Sequence, residues 1–308
     1  MSVNQNIINS ICEVVGKQKV LVNEPMAAHT SFRIGGPADA LVLVDNEKEL
    51  SEVLKIVDGT EHILIGNGSN FLVSDEGYPG IMIRLGGEFD AISVDENDDT
   101  VVTAGGARLL SSFSSFVAER GLTGFEFASG IPGSMGGAMF MNAGAYGGEM
   151  KDIVVSVRLM KPDGSEIFER SNEEMEFAYR NSSIQKDGSI VLAATFRLQK
   201  DDPAEIAGRI AELQQKRNSK QPVNYPSAGS TFKRPVGGYA AALIEEAGLK
   251  GTSVGGAQVS EKHSGFVINT GGATANDVLE LMRLIRKTVY EKSGIMLEPE
   301  VRLINCEL

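Results

Sequence analysis

Residues 66–73 read GNGSNFLV, and this glycine loop decides which nucleotide-binding folds remain possible for the chain. The loop follows an apolar run, HILIG at 62–66, that has the pattern of a buried strand. A Rossmann or Walker A loop leads into a helix, but here FLVSDEG follows with the pattern of another strand, and no GK[ST] triplet is present. We therefore expect a strand-to-strand loop in which Gly66 and Gly68 let backbone amides point inward and Ser69 and Asn70 add donors, an arrangement suited to an anion. A glycine turn without a ligand explains this segment alone equally well.

A second glycine-rich stretch, SGIPGSMGGAMFMNAGAYGG at 129–148, favours the ligand-binding alternative. Gly136 and Gly137 would let a flat or phosphorylated ligand approach the backbone, and Ser134 is predicted to cap a helix that begins at MGGAMFMN. Two glycine loops in a strand-rich domain suit the two halves of a dinucleotide such as FAD. The candidate cofactor-binding residues are Gly66, Asn67, Gly68, Ser69, Asn70, Gly130, Ile131, Pro132, Gly133, Ser134, Gly136 and Gly137.

Composition narrows the classes of partner. The chain has 308 residues, 42% hydrophobic and 23% charged, with a formal net charge of −12, so its surface does not suit nucleic acid. A polyanionic ligand would have to be held by local cations and backbone amides against this overall charge. No apolar run reaches the length of a membrane span, the first residues lack a signal-peptide pattern, and Cys12 and Cys306 have no metal-ligand spacing. We expect a cytoplasmic protein without a metal site, a membrane segment or a nucleic-acid partner.

Periodicity divides the chain into three parts. Residues 38–66 follow a strand, helix, strand order, and Asn46 and Glu49 have the spacing of a capping box. The following part is rich in strands, and the pattern changes near Asp201, where a long helix with Pro203 near its N-terminus is predicted. Residues 274–294 form the strongest helix pattern, beginning at Thr274, and a final strand is predicted in MLEPEVRLI.

Seven motifs carry a family resemblance. In order they are HTSFRIGG, GNGSNFLV, GIPGSMGGAMFMNAGAYGG, YRNS, PSAGSTFKRP, KHSGFVIN and LEPEVRL. Together they resemble the UDP-N-acetylenolpyruvoylglucosamine reductases, in the short-loop (type II) branch, nearly from end to end. The resemblance implies an α+β fold: a two-part FAD-binding domain of the vanillyl-alcohol-oxidase (PCMH) type and a smaller α+β substrate-binding domain. We expect FAD-binding parts at 1–85 and 86–205, the second including the strand at 298–308, and a substrate-binding domain at 206–297.

The resemblance also implies a reaction and a catalytic set. NADPH would reduce a noncovalent FAD, and hydride would pass from flavin N5 to the vinyl carbon of UDP-N-acetylglucosamine enolpyruvate to give UDP-N-acetylmuramate for peptidoglycan. Arg180 matches the arginine that contacts the substrate carboxylate, Glu300 matches a carboxyl that works beside it, and Ser230 matches the proton donor. A guanidinium suits a carboxylate because of its two-point geometry, and a carboxyl beside an enolate makes sense if its surroundings keep it protonated. Taken alone, Arg180 is more typical of a surface ion pair, Glu300 of a surface acid on an edge strand, and Ser230 of a structural serine in a turn.

Substrate-binding residues are predicted less directly. Lys220 and Arg234 match family positions that bind the nucleotide sugar, although other members carry asparagine where Arg234 stands. The branch lacks a loop tyrosine that contacts substrate elsewhere in the family, and Tyr225 is a candidate replacement. Two alternatives stay open: a flavin oxidase or dehydrogenase of the same fold acting on another substrate, and a nucleotide-sugar binder without activity. The oligomeric state and the choice between NADPH and NADH are not predicted.

Overall fold

The strand, helix, strand order predicted at 38–66 forms the centre of the first region. In the computed structural model, which describes residues 3–308, its sheet has the order β1-β2-β5-β3, with β2, β5 and β3 parallel and β1 antiparallel to β2. The side chain of Asn46 accepts the N–H of Glu49 at 2.9 Å, so the predicted cap is confirmed. The elements are α1 (Gln5–Val15), β1 (Val20–Pro25), β2 (Pro37–Val44), α2 (Glu47–Ile56), β3 (His62–Leu64), β4 (Phe71–Val73) and β5 (Tyr78–Leu85).

The second region is built on a five-stranded antiparallel sheet of order β12-β11-β13-β7-β6. Its apolar face is covered by α3 and α4, as the alternating pattern of the strands requires. The elements are β6 (Ile92–Val94), β7 (Val101–Gly105), α3 (Leu110–Ala118), β8 (Leu122–Thr123), α4 (Met135–Met141), β9 (Gly144–Ala145), β10 (Gly148–Glu149), β11 (Val154–Met160), β12 (Ile167–Ser171), α5 (Ile184–Asp187), β13 (Ile190–Arg197) and β14 (Gln199–Lys200).

The third region packs a long helix, α8, on a three-stranded sheet of order β15-β16-β17. The predicted start of α8 is confirmed, since Thr274 and Asp277 form a capping box. Phe32 and Leu72 of the first region belong to the same apolar core, so the two regions are packed together. The elements are α6 (Pro203–Lys220), α7 (Ala240–Glu246), β15 (Ser253–Val254), β16 (Ala257–Val259), β17 (Val267–Asn269), α8 (Ala275–Ser293) and β18 (Arg302–Ile304).

The C-terminal strand pairs with a strand of the first region. β18 runs parallel to β4, with Leu303 opposite Leu72. The domain division predicted above, with 298–308 in the second FAD-binding part, stays a prediction. The apolar pattern of three residues does not specify a partner, and the anchoring contact is the Arg302 N–H, which donates to the Asn70 carbonyl at 2.9 Å. Just before this strand, Pro299 forms a bridge with Phe232 of the third region. The C-terminal segment therefore crosses between the first and third regions.

Residues 3–308 contain neither a membrane-spanning helix nor a cluster of metal-binding side chains. None of their helices combines the length and apolarity that crossing a membrane requires. Nor do they bring three or more His, Cys, Asp or Glu side chains together in a group that could hold a metal ion.

Candidate active site

One large cavity lies where the three regions meet. Its volume of about 1170 Å³ exceeds the roughly 300–1,000 Å³ of ordinary small-ligand pockets. Residues of both predicted glycine loops line it, and so do Arg180, Ser230 and Glu300. The cavity therefore brings the predicted cofactor loops and the predicted catalytic residues to one place.

The two glycine loops contact each other directly. The side-chain amide of Asn67 donates to the Pro132 carbonyl at 2.9 Å, which links the first loop to the second. A side chain at Gly66 would place its Cβ 2.5 Å from the Ser134 hydroxyl oxygen, so a larger residue there would force that hydroxyl to move. Ser134 also caps α4, as predicted, by accepting the N–H of Gly137 at 3.5 Å. The loops form one continuous wall.

The first loop presents a run of unused backbone donors. Within the described part of the chain, no acceptor takes the N–H groups of residues 66–70. Gly68 has φ +62°, and a Cβ there would lie 2.0 Å from the His29 carbonyl oxygen, so only glycine permits this path. Successive unpaired amides in a tight loop form a concave site for an anion such as a phosphate. This donor set fits the diphosphate of FAD.

Cations dominate the cavity wall even though the whole chain is acidic. Five arginines line the cavity, whereas Glu300 is the only carboxylate among the lining residues in 3–308. The arginines are Arg33, Arg84, Arg180, Arg217 and Arg302. An excess of fixed positive charge in a cleft attracts polyanions against an unfavourable net charge.

The sequence analysis named only Arg180 among these five arginines, and two of the four that it missed, Arg217 and Arg302, contact other parts of the cavity wall. Arg217 projects from α6 over the second glycine loop, and a Cβ at Gly130 would lie 3.0 Å from its Cδ. Arg302 lies over the Phe140 ring at 4.6 Å. Residues 3–308 offer neither guanidinium a carboxylate within ion-pair distance. Arg302 lies inside the quoted LEPEVRL motif, so that motif was the available signal, whereas nothing in the sequence distinguishes Arg217 from other helix cations.

Arg180 and Glu300 form an ion pair in the cavity wall. The Arg180 Nε donates to the Glu300 Oε1 at 2.7 Å, although the residues are 120 positions apart. Their side chains are 21% and 12% exposed. Arg180 has φ +53°, a conformation that non-glycine residues adopt only when surrounding contacts enforce it. Here the side-chain amide of Gln185 donates to the Arg180 carbonyl at 3.1 Å.

The surroundings of Glu300 favour its neutral form. Burial raises the pKa of Glu300 above its ordinary value, and the nearby Arg180 guanidinium offsets only part of that rise. The direct contact with Arg180 alone would argue for the carboxylate, but desolvation is the larger influence. The raised pKa extends the pH range in which Glu300 is protonated, and its role as a hydrogen-bond donor stays a prediction.

The loop that carries Ser230 is held at several points. The Ser31 hydroxyl donates to the Ser227 carbonyl at 2.7 Å, and Gly229 has φ +76°. Immediately after Ser230, the Thr231 carbonyl accepts the N–H of Glu300 at 2.9 Å. Ser230 and Glu300 therefore lie on two segments that are hydrogen-bonded to each other.

Only one of the three candidate substrate-binding residues, Lys220, Arg234 and Tyr225, lines the cavity. Lys220 is the last residue of α6 and is exposed, and it is not among the cavity-lining residues. Arg234 is also exposed and outside the lining set, and its guanidinium lies over the Tyr239 ring at 4.1 Å. Tyr225 lines the cavity and is 49% exposed. The structure brings Tyr225 to the site but not Lys220 or Arg234.

Comparison with known proteins agrees with this geometry. Residues 38–168 match the family described as an FAD binding domain, and residues 221–304 match the C-terminal domain of UDP-N-acetylenolpyruvoylglucosamine reductase. Two relatives named UDP-N-acetylenolpyruvoylglucosamine reductase, from Clostridioides difficile (strain 630) and Lachnoclostridium phytofermentans, are 50% and 49% identical to the chain, and each alignment covers 98% of both sequences.

One solved structure is similar to this chain over nearly the whole length of both proteins. The crystal structure of UDP-N-acetylenolpyruvylglucosamine reductase from Thermus caldophilus aligns with a TM-score of 0.79 at 36% identity, covering 92% of this chain and 98% of that one. These matches confirm the predicted α+β fold and its FAD-binding domain.

Proposed function

The chain belongs to the UDP-N-acetylenolpyruvoylglucosamine reductase family, and we propose that it reduces UDP-N-acetylglucosamine enolpyruvate to UDP-N-acetylmuramate with NADPH, in peptidoglycan synthesis. The observation that carries this proposal is the Arg180–Glu300 pair, which lies in the same cavity as the two glycine loops. Because NADPH and UDP-sugars are cytoplasmic metabolites, we propose that the enzyme works in the cytoplasm.

The glycine loops and the cavity arginines would hold the cofactor without a covalent bond. FAD held there would supply the hydride-transfer chemistry between NADPH and the vinyl carbon of the substrate. The unpaired amides of residues 66–70 and the guanidinium of Arg217 are suited to its diphosphate.

Arg180 binds the carboxylate that is conjugated with the vinyl group. Negative charge grows on this carboxylate as the vinyl carbon is reduced, and a guanidinium stays charged throughout the reaction. Its contact with Glu300 and its constrained backbone hold it in one orientation before the substrate arrives. Such a preorganised donor stabilises the developing charge without reorganising at the moment of reaction.

Glu300 in its neutral form donates a hydrogen bond to the same developing anion. An ionised carboxylate there would repel the enolate, so the raised pKa of Glu300 has a purpose in this reaction. The carboxyl oxygen that contacts Arg180 can go on accepting its N–H, while the other oxygen carries the proton.

Ser230 donates its hydroxyl proton to the carbon next to the carboxylate. A serine hydroxyl is a weak acid, but an enolate is a strong base, so the transfer is downhill when the geometry is right. The loop that carries Ser230 is fixed to the Glu300 segment, which favours this geometry. Tyr225, which lines the cavity, is proposed to contact the nucleotide sugar. Lys220 and Arg234 lie outside the cavity lining, so their proposed contacts are with a part of the nucleotide sugar that extends beyond the cavity.

An anaerobic experiment tests the proposed function. The purified holoenzyme is reduced with one equivalent of NADPH, and the flavin absorbance is followed after UDP-N-acetylglucosamine enolpyruvate is added. We expect rapid reoxidation and formation of UDP-N-acetylmuramate. UDP-N-acetylglucosamine, which lacks the vinyl group, is the matched control and leaves the flavin reduced. Absence of reoxidation with the enol ether would reject the proposal.

A further inference from the structure

The KHSGFVIN motif at 262–269 has no role in the reaction proposed above, yet it lies next to the site. Its first residues, 262–266, belong to the turn between β16 and β17, and its last three form β17. The Ser260 hydroxyl oxygen accepts the N–H of Lys262 at 3.1 Å and that of His263 at 3.3 Å. The carbonyl of His263 accepts the N–H of Phe266 at 3.0 Å, and Phe266 lines the cavity. The turn is therefore a closed, hydrogen-bonded unit at the cavity wall.

The imidazole of His263 takes part in this turn as an acceptor. Its Nδ1 accepts the backbone N–H of Gly265 at 3.2 Å, which requires an unprotonated Nδ1 and therefore a neutral ring. A Cβ at Gly265 would lie 3.0 Å from the Cε1 of His263, so the glycine makes room for the ring. The ring packs edge-on against Phe266, with centroids 5.0 Å apart.

A short chain of hydrogen bonds connects His263 to Ser230. The Gly265 carbonyl accepts the N–H of Thr231 at 2.9 Å. That N–H lies in the same rigid peptide plane as the Ser230 carbonyl, so fixing it fixes the ψ angle of Ser230. The Thr231 hydroxyl oxygen also accepts the N–H of Val267 at 2.9 Å. The backbone that aims the Ser230 hydroxyl is thus anchored on the His263 turn.

We propose that His263 is a positioning residue for the protonation step: its neutral imidazole holds Gly265, and Gly265 holds the peptide bond between Ser230 and Thr231. This inference rests on the proposed role of Ser230 as the proton donor. His263 does not touch the substrate, and its effect acts through the backbone. It is distinct from a role in folding because it predicts an effect on one half-reaction only.

The electrostatic surroundings of His263 support the neutral form. Burial lowers the pKa of His263 below its ordinary value of 6.5. The charged groups that act on it are Glu245 and Lys250, which pair with each other at 2.9 Å. The Ser264 hydroxyl also donates to Glu245, at 3.2 Å. The backbone contact of the ring and the charge of Glu245 raise the pKa of His263, and Lys250 lowers it, but burial is the largest influence.

The direction of the pH effect follows from the acceptor role. Above the folded-state pKa of His263, Nδ1 is unprotonated and the contact with Gly265 is intact. As the pH falls through that pKa, a proton on Nδ1 would face the N–H of Gly265, and the acceptor is lost. We therefore expect substrate reduction, but not flavin reduction, to slow on the acid side because of His263.

Two substitutions separate the acceptor from the rest of the side chain. His263→Leu fills the position with an apolar side chain and removes the acceptor. His263→Asn keeps an acceptor, because its Oδ1 is bonded to Cγ just as the histidine Nδ1 is, and it does not titrate. In stopped-flow assays of the holoenzyme, His263→Leu should slow reoxidation by the enol ether about tenfold to hundredfold, the cost of a small misplacement of a reacting group. Flavin reduction by NADPH should stay within about twofold of the parent rate, because the Ser230 hydroxyl takes no part in it.

His263→Asn should restore most of the reoxidation rate and remove the part of the acid-side decline that His263 causes. Hydrogen exchange at the Thr231 amide gives a readout independent of catalysis, and it should be faster in His263→Leu than in the parent protein. Gly265→Ala, which would push the ring away, should match His263→Leu. Equal rates in the Leu and Asn variants, equal slowing of both half-reactions, or unchanged exchange at Thr231 would each overturn the positioning role.

The same experiment separates this inference from the proposed function. If Ser230→Ala reoxidises as fast as the parent protein, the assignment of Ser230 fails, and the positioning role fails with it. If Ser230→Ala is slow but His263→Leu is not, only the positioning role of His263 is wrong.

Discussion

Arg217→Met is the substitution that most directly tests how the cavity holds its cofactor. Arg217 lies over Gly130 of the second glycine loop, and in the described residues it has no carboxylate partner. Lys216, its neighbour on α6, is instead paired with Glu212 at 2.5 Å on the exposed side of the helix. Arg217→Met and Lys216→Met therefore remove one positive charge each from the same helix, but only the first removes it from the cavity.

The expected loss follows from the contacts available to Arg217. A hydrogen bond to a charged group contributes about 1.5–3 kcal/mol, which corresponds to about tenfold to hundredfold in Kd. Burial lowers the pKa of Arg217, so its charge is already desolvated before FAD binds, and the bound diphosphate compensates that cost. We therefore expect the loss of FAD affinity in Arg217→Met to lie toward the upper end, about thirtyfold to hundredfold.

The assay is a titration of the apoprotein with FAD, followed by the quenching of flavin fluorescence at two salt concentrations. The parent protein should lose more affinity at high salt than Arg217→Met, because the variant has lost a charge that salt screens. Lys216→Met should bind FAD like the parent protein at both concentrations. Equal weakening in the two variants, or an effect of Arg217→Met on NADPH or substrate with FAD binding unchanged, would refute the reasoning.

Three further predictions concern the reaction and the loops. Ser230→Ala should be reduced by NADPH at the parent rate but reduce the enol ether about 10²-fold to 10⁴-fold more slowly, and equal slowing of both half-reactions would count against the assignment. The pKa of Glu300 is raised, and its neutral carboxyl is present below that pKa and is lost as the pH rises through it. Substrate reduction should therefore decline on the alkaline side. Glu300→Gln, a permanent neutral donor, should keep activity and lose that decline, and a rate as low as that of an alanine variant would contradict this. Gly66→Ala should weaken FAD binding about fivefold to hundredfold through its clash with Ser134, an overpacking cost of about 1–3 kcal/mol. Gly208→Ala, in open space on α6, should leave FAD binding unchanged and raise the melting temperature, and equal FAD affinity in both alanine variants would contradict the role of Gly66.

Much of the fold could be predicted because its signals are local. The cap of α2 by Asn46 and the capping box of α8 involve side chains within four positions of the backbone groups that they satisfy. The same holds for the glycine loops, where a strand rather than a helix follows Asn70. By contrast, β1 was not predicted, since its polar residues give no clear alternation.

The catalytic residues were named from motifs, and the sequence did not indicate how they meet. Arg180, Ser230 and Glu300 come from three different parts of the chain, and their residue types alone are ordinary. The contact between Arg180 and Glu300 exists because the C-terminal segment crosses from the third region to β4 of the first. A three-residue apolar strand fits several sheet edges equally well, so the sequence does not specify the partner of β18.

The sequence by itself determined the starts of α2, α4 and α8, the strand-to-strand glycine loops and the family motifs, since these depend on neighbours within a few residues. Only the tertiary structure decided that the two loops form one wall, that five arginines and, among residues 3–308, a single carboxylate line one cavity, and that the His263 turn is hydrogen-bonded to Thr231. Such contacts join residues tens to hundreds of positions apart, and chemically equivalent partners exist elsewhere in the chain. The packing of the three regions selects among them, because only the folded backbone brings a particular donor within reach of a particular acceptor.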